Sequence, residues 1–183
     1  KVRFTVLNDN TDSTTAAKNT QKLITEEKVD LILGSSLTPP SLAVVESAGQ
    51  AGVPVISLAG GGAIVLPQDG PRKWAFKLSP TELISTNMVI DHVLKNKGKT
   101  IATIGVANSY GDGFLKVTEQ VAAAKGVKIV ASEKYAPTDQ SVTAQVVKIL
   151  AANPDAVFIH SAGTPGALPQ IELAKRGYKG PVY

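Results

Sequence analysis

The stretch Ser57-Leu58-Ala59-Gly60-Gly61-Gly62-Ala63-Ile64-Val65 places three adjacent glycines directly after a short apolar run. Glycine backbone approaches other groups closely, and its amides donate to anions. A phosphate cradle, a nucleotide loop, the floor of a small-molecule pocket and a plain turn all suit such a stretch. Three further segments share its small, polar character: 34–38 (GSSLT), 106–113 (VANSYGDG) and 159–166 (IHSAGTPG). Each follows an apolar run. At least three of the four feed a helical pattern, where unpaired amides and the macrodipole attract negative charge. A carboxylate is the natural guest.

Other chemistries lack their residues. No G-x-x-x-x-G-K-[ST] occurs; Gly98-Lys99-Thr100 has the final letters, but Val93 stands where the upstream glycine belongs, and a strand follows instead of a helix. G-x-G-x-x-G and G-x-S-x-G are absent too. The two histidines, His92 and His160, cannot supply a paired metal set. His92 reads as a surface residue of a helix and His160 as the end of a strand facing a cleft. Asp9 and Asp12 read as turn and cap residues. Tyr110, between a strand end and a helix start, is placed to cover a ligand. Trp74 reads as core or hinge packing. No catalytic residue, metal or cofactor is expected.

These segments are positioned by an alternation of strands and helices. Val2, Phe4 and Val6 alternate with Lys1, Arg3 and Thr5, which predicts a half-exposed strand. Asp12 or Ser13 caps a helix with Ala16, Ala17, Thr20, Leu23 and Ile24 as its buried stripe. The run VDLILG predicts a strand covered on both faces, and Thr38 is expected at the N-cap of the next helix, with prolines in its first turn. The pattern then gives strands at VPVIS, WAFKL, TIATIGV, VKIVASEKY, DAVFIH and GPVY. Helices are predicted at 79–99, at YGDGFLKVTEQVAAAKG with Gly126 past its end, at DQSVTAQVVKILAANP and at TPGALPQIELAKRG. Short connections between alternating elements predict an α/β fold of parallel sheets with helices on both faces. The break near residues 78–80 divides the chain into lobes 1–78 and 79–183.

Composition sets bounds on this reading. No apolar stretch reaches the roughly 18 residues of a membrane-spanning helix. With no cysteine, disulfides, zinc-thiolate sites and thiol nucleophiles are excluded. The net charge of +4 is spread over both halves without a basic run, so it reads as solvated surface and no nucleic-acid partner is expected. No signal peptide is visible, and a chain opening directly in a strand pattern reads as a mature fragment.

Several stretches together resemble one family. VLNDNTDSTTAAKNTQKLI, VDLILGSSLTPPSLAVVESAGQAGVPVIS, ATIGVANSYGDGF and NPDAVFIHSAGTPGALPQIELAKRGYKGPVY are similar to the type I periplasmic solute-binding proteins of ABC transporters, in the branched-chain amino-acid (Leu/Ile/Val) group. The resemblance implies two doubly wound lobes that clamp a ligand, a periplasmic location, a membrane permease as partner and no enzymatic activity. Closure then requires the ligand to prefer the closed state by about 5 kcal/mol for a near-complete shift.

By the same resemblance, Thr38 with Ser36 beside it holds the ligand carboxylate, and Ala59, Gly60 and Gly61 supply the next contacts. Tyr110 and the Ser161-Ala162 stretch supply the second lobe. Two departures matter. Amino-acid binders usually carry Thr at the Gly61 position and often an aromatic ring after the later strand, where this chain has Ser161-Ala162-Gly163. Both point to a bulkier guest such as an aromatic acid, and ISLAGGGAIV followed by RKWAFKL resembles members that bind lignin-derived aromatic acids. Family members also have an N-terminal strand and helix and a C-terminal continuation that this sequence lacks, so poor binding by the isolated chain is expected. Two alternatives remain: a ligand-sensing domain on the same fold, and a nucleotide-dependent α/β enzyme.

Overall fold

The computed structural model describes all 183 residues, which divide into two compact units, Lys1–Thr81 and Glu82–Tyr183.

In the first unit, α1 (Ser13–Thr25) starts where the Asp12 carboxylate accepts from Thr15 N, and buries Ala16 and Thr20. Strand β1 (Ile32–Leu33), helix α2 (Thr38–Gln50), strand β2 (Val55–Ser57) and strand β3 (Ala75–Lys77) follow. The strands form one parallel sheet in the order β1-β2-β3, with Ile32 opposite Val55 and Val55 opposite Ala75. Its core gathers Ile32, Val44, Val45, Ala48, Val55 and Ile64.

Four expectations change here. The VDLILG run is not a strand covered on both faces: β1 spans only Ile32–Leu33, and Leu31 and Leu33 are exposed. Residues 1–9 are not a strand: Val2, Phe4 and Val6 are 81%, 75% and 88% exposed, and a groove of about 610 Å³ separates residues 1–7 from residues 27–33. The segment is tethered by side chains instead, with Arg3 donating to the Glu27 carbonyl and pairing with its carboxylate at 3.3 Å. Thr38 is not a cap: Leu37 occupies the N-cap and Thr38 is the first helical residue. Trp74 is 43% exposed at the end of a 3-10 turn, lying over Gly52, so it is not core.

The second unit runs α3 (Glu82–Lys95), β4 (Thr100–Val106), α4 (Ser109–Lys125), β5 (Lys128–Tyr135), α5 (Thr143–Ala151), β6 (Ala156–His160) and α6 (Ala167–Lys175). The parallel sheet has the order β5-β4-β6, and Val182 bridges onto Val157 at its edge. β4 is buried along nearly its whole length, as a run of Ile101-Ala102-Thr103-Ile104 between helices requires. Two cores flank the sheet: Ile104, Val146, Ile149 and Leu173 on one side, Ile90, Val93, Ile101 and Val121 on the other. α4 ends at Gly126, whose φ of 71° is the left-handed conformation that glycine adopts without strain. No helix is long and apolar enough to cross a membrane.

Candidate functional site

In an open parallel sheet, ligands meet the loops beyond the carboxyl ends of the strands. Each unit presents one such edge.

In the first unit the edge is built around Ser35. Ala59 N donates to Ser57 Oγ at 3.1 Å, Ser57 Oγ to Ser41 Oγ at 2.9 Å, and Ser41 Oγ to the Ser35 carbonyl at 3.1 Å. That carbonyl also accepts from Leu58 N. The chain of hydroxyls joins the ends of β1 and β2 to the first turn of α2. Lys77 Nζ donates to the Gly60 carbonyl at 2.5 Å and Ser79 Oγ to the Leu58 carbonyl at 2.9 Å. The glycine loop is therefore pinned from several sides and is not a loose turn.

Gly61 N donates to Thr38 Oγ1 at 3.1 Å. A Cβ on Gly61 would collide with Thr38 Cγ2 and lie 2.7 Å from Oγ1, so this contact demands glycine. Thr38 is 1% exposed, as is Ala59. The Thr38 oxygen and the Gly61 amide thus serve each other. Gly60 is half-buried and Ser36 is exposed.

In the second unit, Asn108 Oδ1 caps α4 by accepting from Tyr110 N and Gly111 N. Tyr110 is half-buried, its ring 5.0 Å from that of Phe114. Burial, and then the Glu82 carboxylate, push its phenol above the ordinary value. Gly111 is required by packing, because a Cβ there would strike the Val106 carbonyl. The hydroxyl oxygens of Ser109 and Ser161 are buried without a hydrogen-bond partner. They follow β4 and β6, which are neighbours in the sheet. The Ser161 hydroxyl lies near the Tyr135 phenol but closes no bond with it; Tyr135 donates to the Pro165 carbonyl at 3.0 Å. A cavity of about 290 Å³ opens beside Ser161, Ala162 and Gly163, and Ala162 is exposed.

His160 does not face a cleft. It is 2% exposed, stacked on Phe114 at 5.7 Å, and Nε2 lies 3.2 Å from Thr118 Oγ1. Burial pushes its pKa down to about 4. His92 is exposed and bonds through Nδ1 to the Tyr183 hydroxyl at 2.5 Å. Asp9 accepts from Thr11 N within its turn. No group of three or more acidic, histidine or cysteine side chains could hold a metal ion. Ser109 is absent from the candidates that the sequence suggests. Its place directly after the capping Asn108 was the available signal.

A sequence model described as periplasmic binding protein matches residues 1–182. The chain belongs to the periplasmic binding protein family. An extracellular ligand-binding receptor from Rhodopseudomonas palustris HaA2 is 44% identical, with a TM-score of 0.96 over 100% of this chain and 51% of that one. A solute binding protein of an ABC transporter from Rhodopseudomonas palustris BisB5, solved with 3,4-dihydroxy benzoic acid, is 26% identical; its TM-score is 0.87 over 100% of this chain and 50% of that one. The leucine binding protein LivK from Thermotoga maritima, at 21% identity and a TM-score of 0.89, covers 100% of this chain and 51% of that one and shares the fold. This periplasmic binding protein chain thus spans about half the length of these relatives. Among curated proteins none matches.

Proposed function

We propose that this chain is part of an extracellular or periplasmic solute-binding component of an ABC importer, that its guest is a small carboxylate, and that an aromatic acid is preferred over a branched-chain amino acid. The residues proposed to contact the ligand are Ser36, Gly60 and Gly61 on the first unit's edge and Tyr110, Ser161 and Ala162 on the second's, with Ser109 added; Thr38 and Ala59, each 1% exposed, support the first edge from beneath. Thr38 acts by fixing the Gly61 loop. A membrane permease takes the loaded protein, and the protein binds without transforming its guest.

The observation that supports a ligand here is the pair of buried hydroxyls without partners at the ends of neighbouring strands, Ser109 next to the half-buried Tyr110 in the chain and Ser161 at the cavity lined by Ala162 and Gly163. A buried polar atom is costly unless something completes it. A hydroxylated or carboxylated ring offers both acceptors and a face for Tyr110. The preference for an aromatic guest is supported by the missing ring after β6 and by the dihydroxybenzoate held by the 26% identical relative.

A thermal-shift panel of leucine, valine, benzoate, 3,4-dihydroxybenzoate and hydroxycinnamates tests the reading. Stabilisation by the aromatic acids is expected. Stabilisation by leucine alone overturns the aromatic preference. A sensing role on the same fold is the second reading, favoured by the receptor description of the 44% identical relative. A permease encoded beside the gene supports import, and a signalling domain in the same reading frame supports sensing.

A further inference from the structure

Tyr110, Phe114 and Thr118 recur every four residues along α4 and so share one face of the helix. That face meets the end of β6. His160 stacks on Phe114 with ring centroids 5.7 Å apart and planes at 26°, meets Phe158 edge-on at 4.4 Å, and reaches Thr118 Oγ1 through Nε2. Phe114 in turn touches Tyr110 at 5.0 Å. Beneath the ring, a Cβ on Gly105 would come within 3.3 Å of His160 Cβ, so glycine at that point lets the imidazole sit against β4.

We propose that His160 is a positioning residue: anchored on Thr118 and stacked on Phe114, its ring fixes the Tyr110 side chain and the adjoining Ser161-Ala162 turn relative to one another. This rests on the reading that Tyr110 and Ser161 contact the ligand. A pure packing residue could be Phe or Leu. The imidazole adds one directional bond to a helix buried at Thr118, which sets the rotation of the ring and with it the exit of the chain into Ser161.

The charged groups around it are accounted for. On β5, Glu133 and Lys134 line the same small void, but Glu133 pairs with Lys148 at 3.1 Å and Lys134 with Asp112 at 2.5 Å. On α4, Asp112, Lys116 and Glu119 are exposed, and on α3 the Glu82 carboxylate lies against Gly113. β4 presents only Thr103, Gly105 and Val106 there. Burial alone accounts for the depressed basicity of the ring. A protonated imidazole must be hydrated, so it leaves the stack and releases Phe114 and Tyr110.

The test is a pH titration of tyrosine and histidine ring resonances by NMR, read together with calorimetric titration of 3,4-dihydroxybenzoate. The Tyr110 ring signals are expected to move with the same midpoint as the His160 imidazole, well below 6.5, while those of Tyr178 do not. Thr118→Val should shift the His160 and Tyr110 midpoints together. His160→Gln should weaken 3,4-dihydroxybenzoate about tenfold at pH 7, a loss of one charge-neutral contact's order. Tyr110 signals that ignore the His160 midpoint, in the unmodified protein and in Thr118→Val, overturn the proposal. Coupled Tyr110 and His160 signals in a protein that does not bind 3,4-dihydroxybenzoate keep the positioning role and remove the ligand reading instead.

Discussion

Gly61 and Thr38, 23 residues apart, are locked by one hydrogen bond of 3.1 Å and by a contact too close for any side chain on residue 61. This relationship answers why a glycine stands there. Gly61→Ala should destabilise the first unit by about 2 kcal/mol, the range of overpacking in a tight site. Thr38→Ser removes Cγ2 and keeps the oxygen, so the same Ala substitution should cost less in that background. Urea denaturation of the four proteins closes the cycle; purely additive losses would show that the contact is not the cause.

Gly111 is held to glycine by the Val106 carbonyl in the same way, in the second unit. Because the obstacle is backbone, it cannot swing aside. Gly111→Ala should cost about 3 kcal/mol or prevent α4 from seating. Gly126→Ala meets nothing within 4 Å and carries only the strain of a φ of 71°, so it should cost about 1 kcal/mol. Equal losses in chemical denaturation would contradict the packing account of Gly111.

Buried neutral His160 makes the stability of the second unit depend on pH. Its folded pKa of about 4 lies below the ordinary 6.5, so between those values the unfolded chain binds more protons. Stability is complete above about pH 6.5 and falls as the pH drops towards 4. The full effect is about 3 kcal/mol. His160→Phe should flatten the curve of unfolding free energy between pH 6.5 and 4, and an unchanged slope would show that another group is responsible.

Asp155 joins the entries to β4 and β6. Its carboxylate accepts from Lys99 N at 2.7 Å and from both Thr100 N and Oγ1 at 2.9 Å, and these backbone and hydroxyl donors hold its pKa below the usual value. The side chain is exposed, so the expected loss for Asp155→Ala is only about 1 kcal/mol. That contribution is present above the ordinary carboxylate range and is lost as the pH falls through the lowered folded value. An Ala variant as stable as the parent at pH 7 would show that water replaces the carboxylate without loss.

The second unit was the more legible in sequence. β4 is a continuous apolar run, α4 carries a capping Asn108 and a terminal Gly126, and such local signals need no distant partner. The failures involve partners. Residues 1–9 alternate like a strand, yet a strand exists only where a neighbour accepts its hydrogen bonds. Thr38 looks like a cap by type and place, but the Gly61 amide takes its oxygen. His160 ends a strand, and whether it meets a cleft or a core depends on where α4 lies over it. Ser109 carries no sequence signal of its role beyond its place after Asn108, because an unpartnered hydroxyl is a property of three-dimensional surroundings.

The most direct measurement is calorimetric titration of the full-length protein, of which this chain is proposed to be part, with 3,4-dihydroxybenzoate and with leucine, in the parent and in Ser109→Ala and Ser161→Ala. The account predicts one-to-one binding of the aromatic acid, weaker by about tenfold in each variant as one hydrogen bond is lost, and no comparable binding of leucine. Binding of leucine alone, or aromatic binding that neither substitution changes, would contradict it.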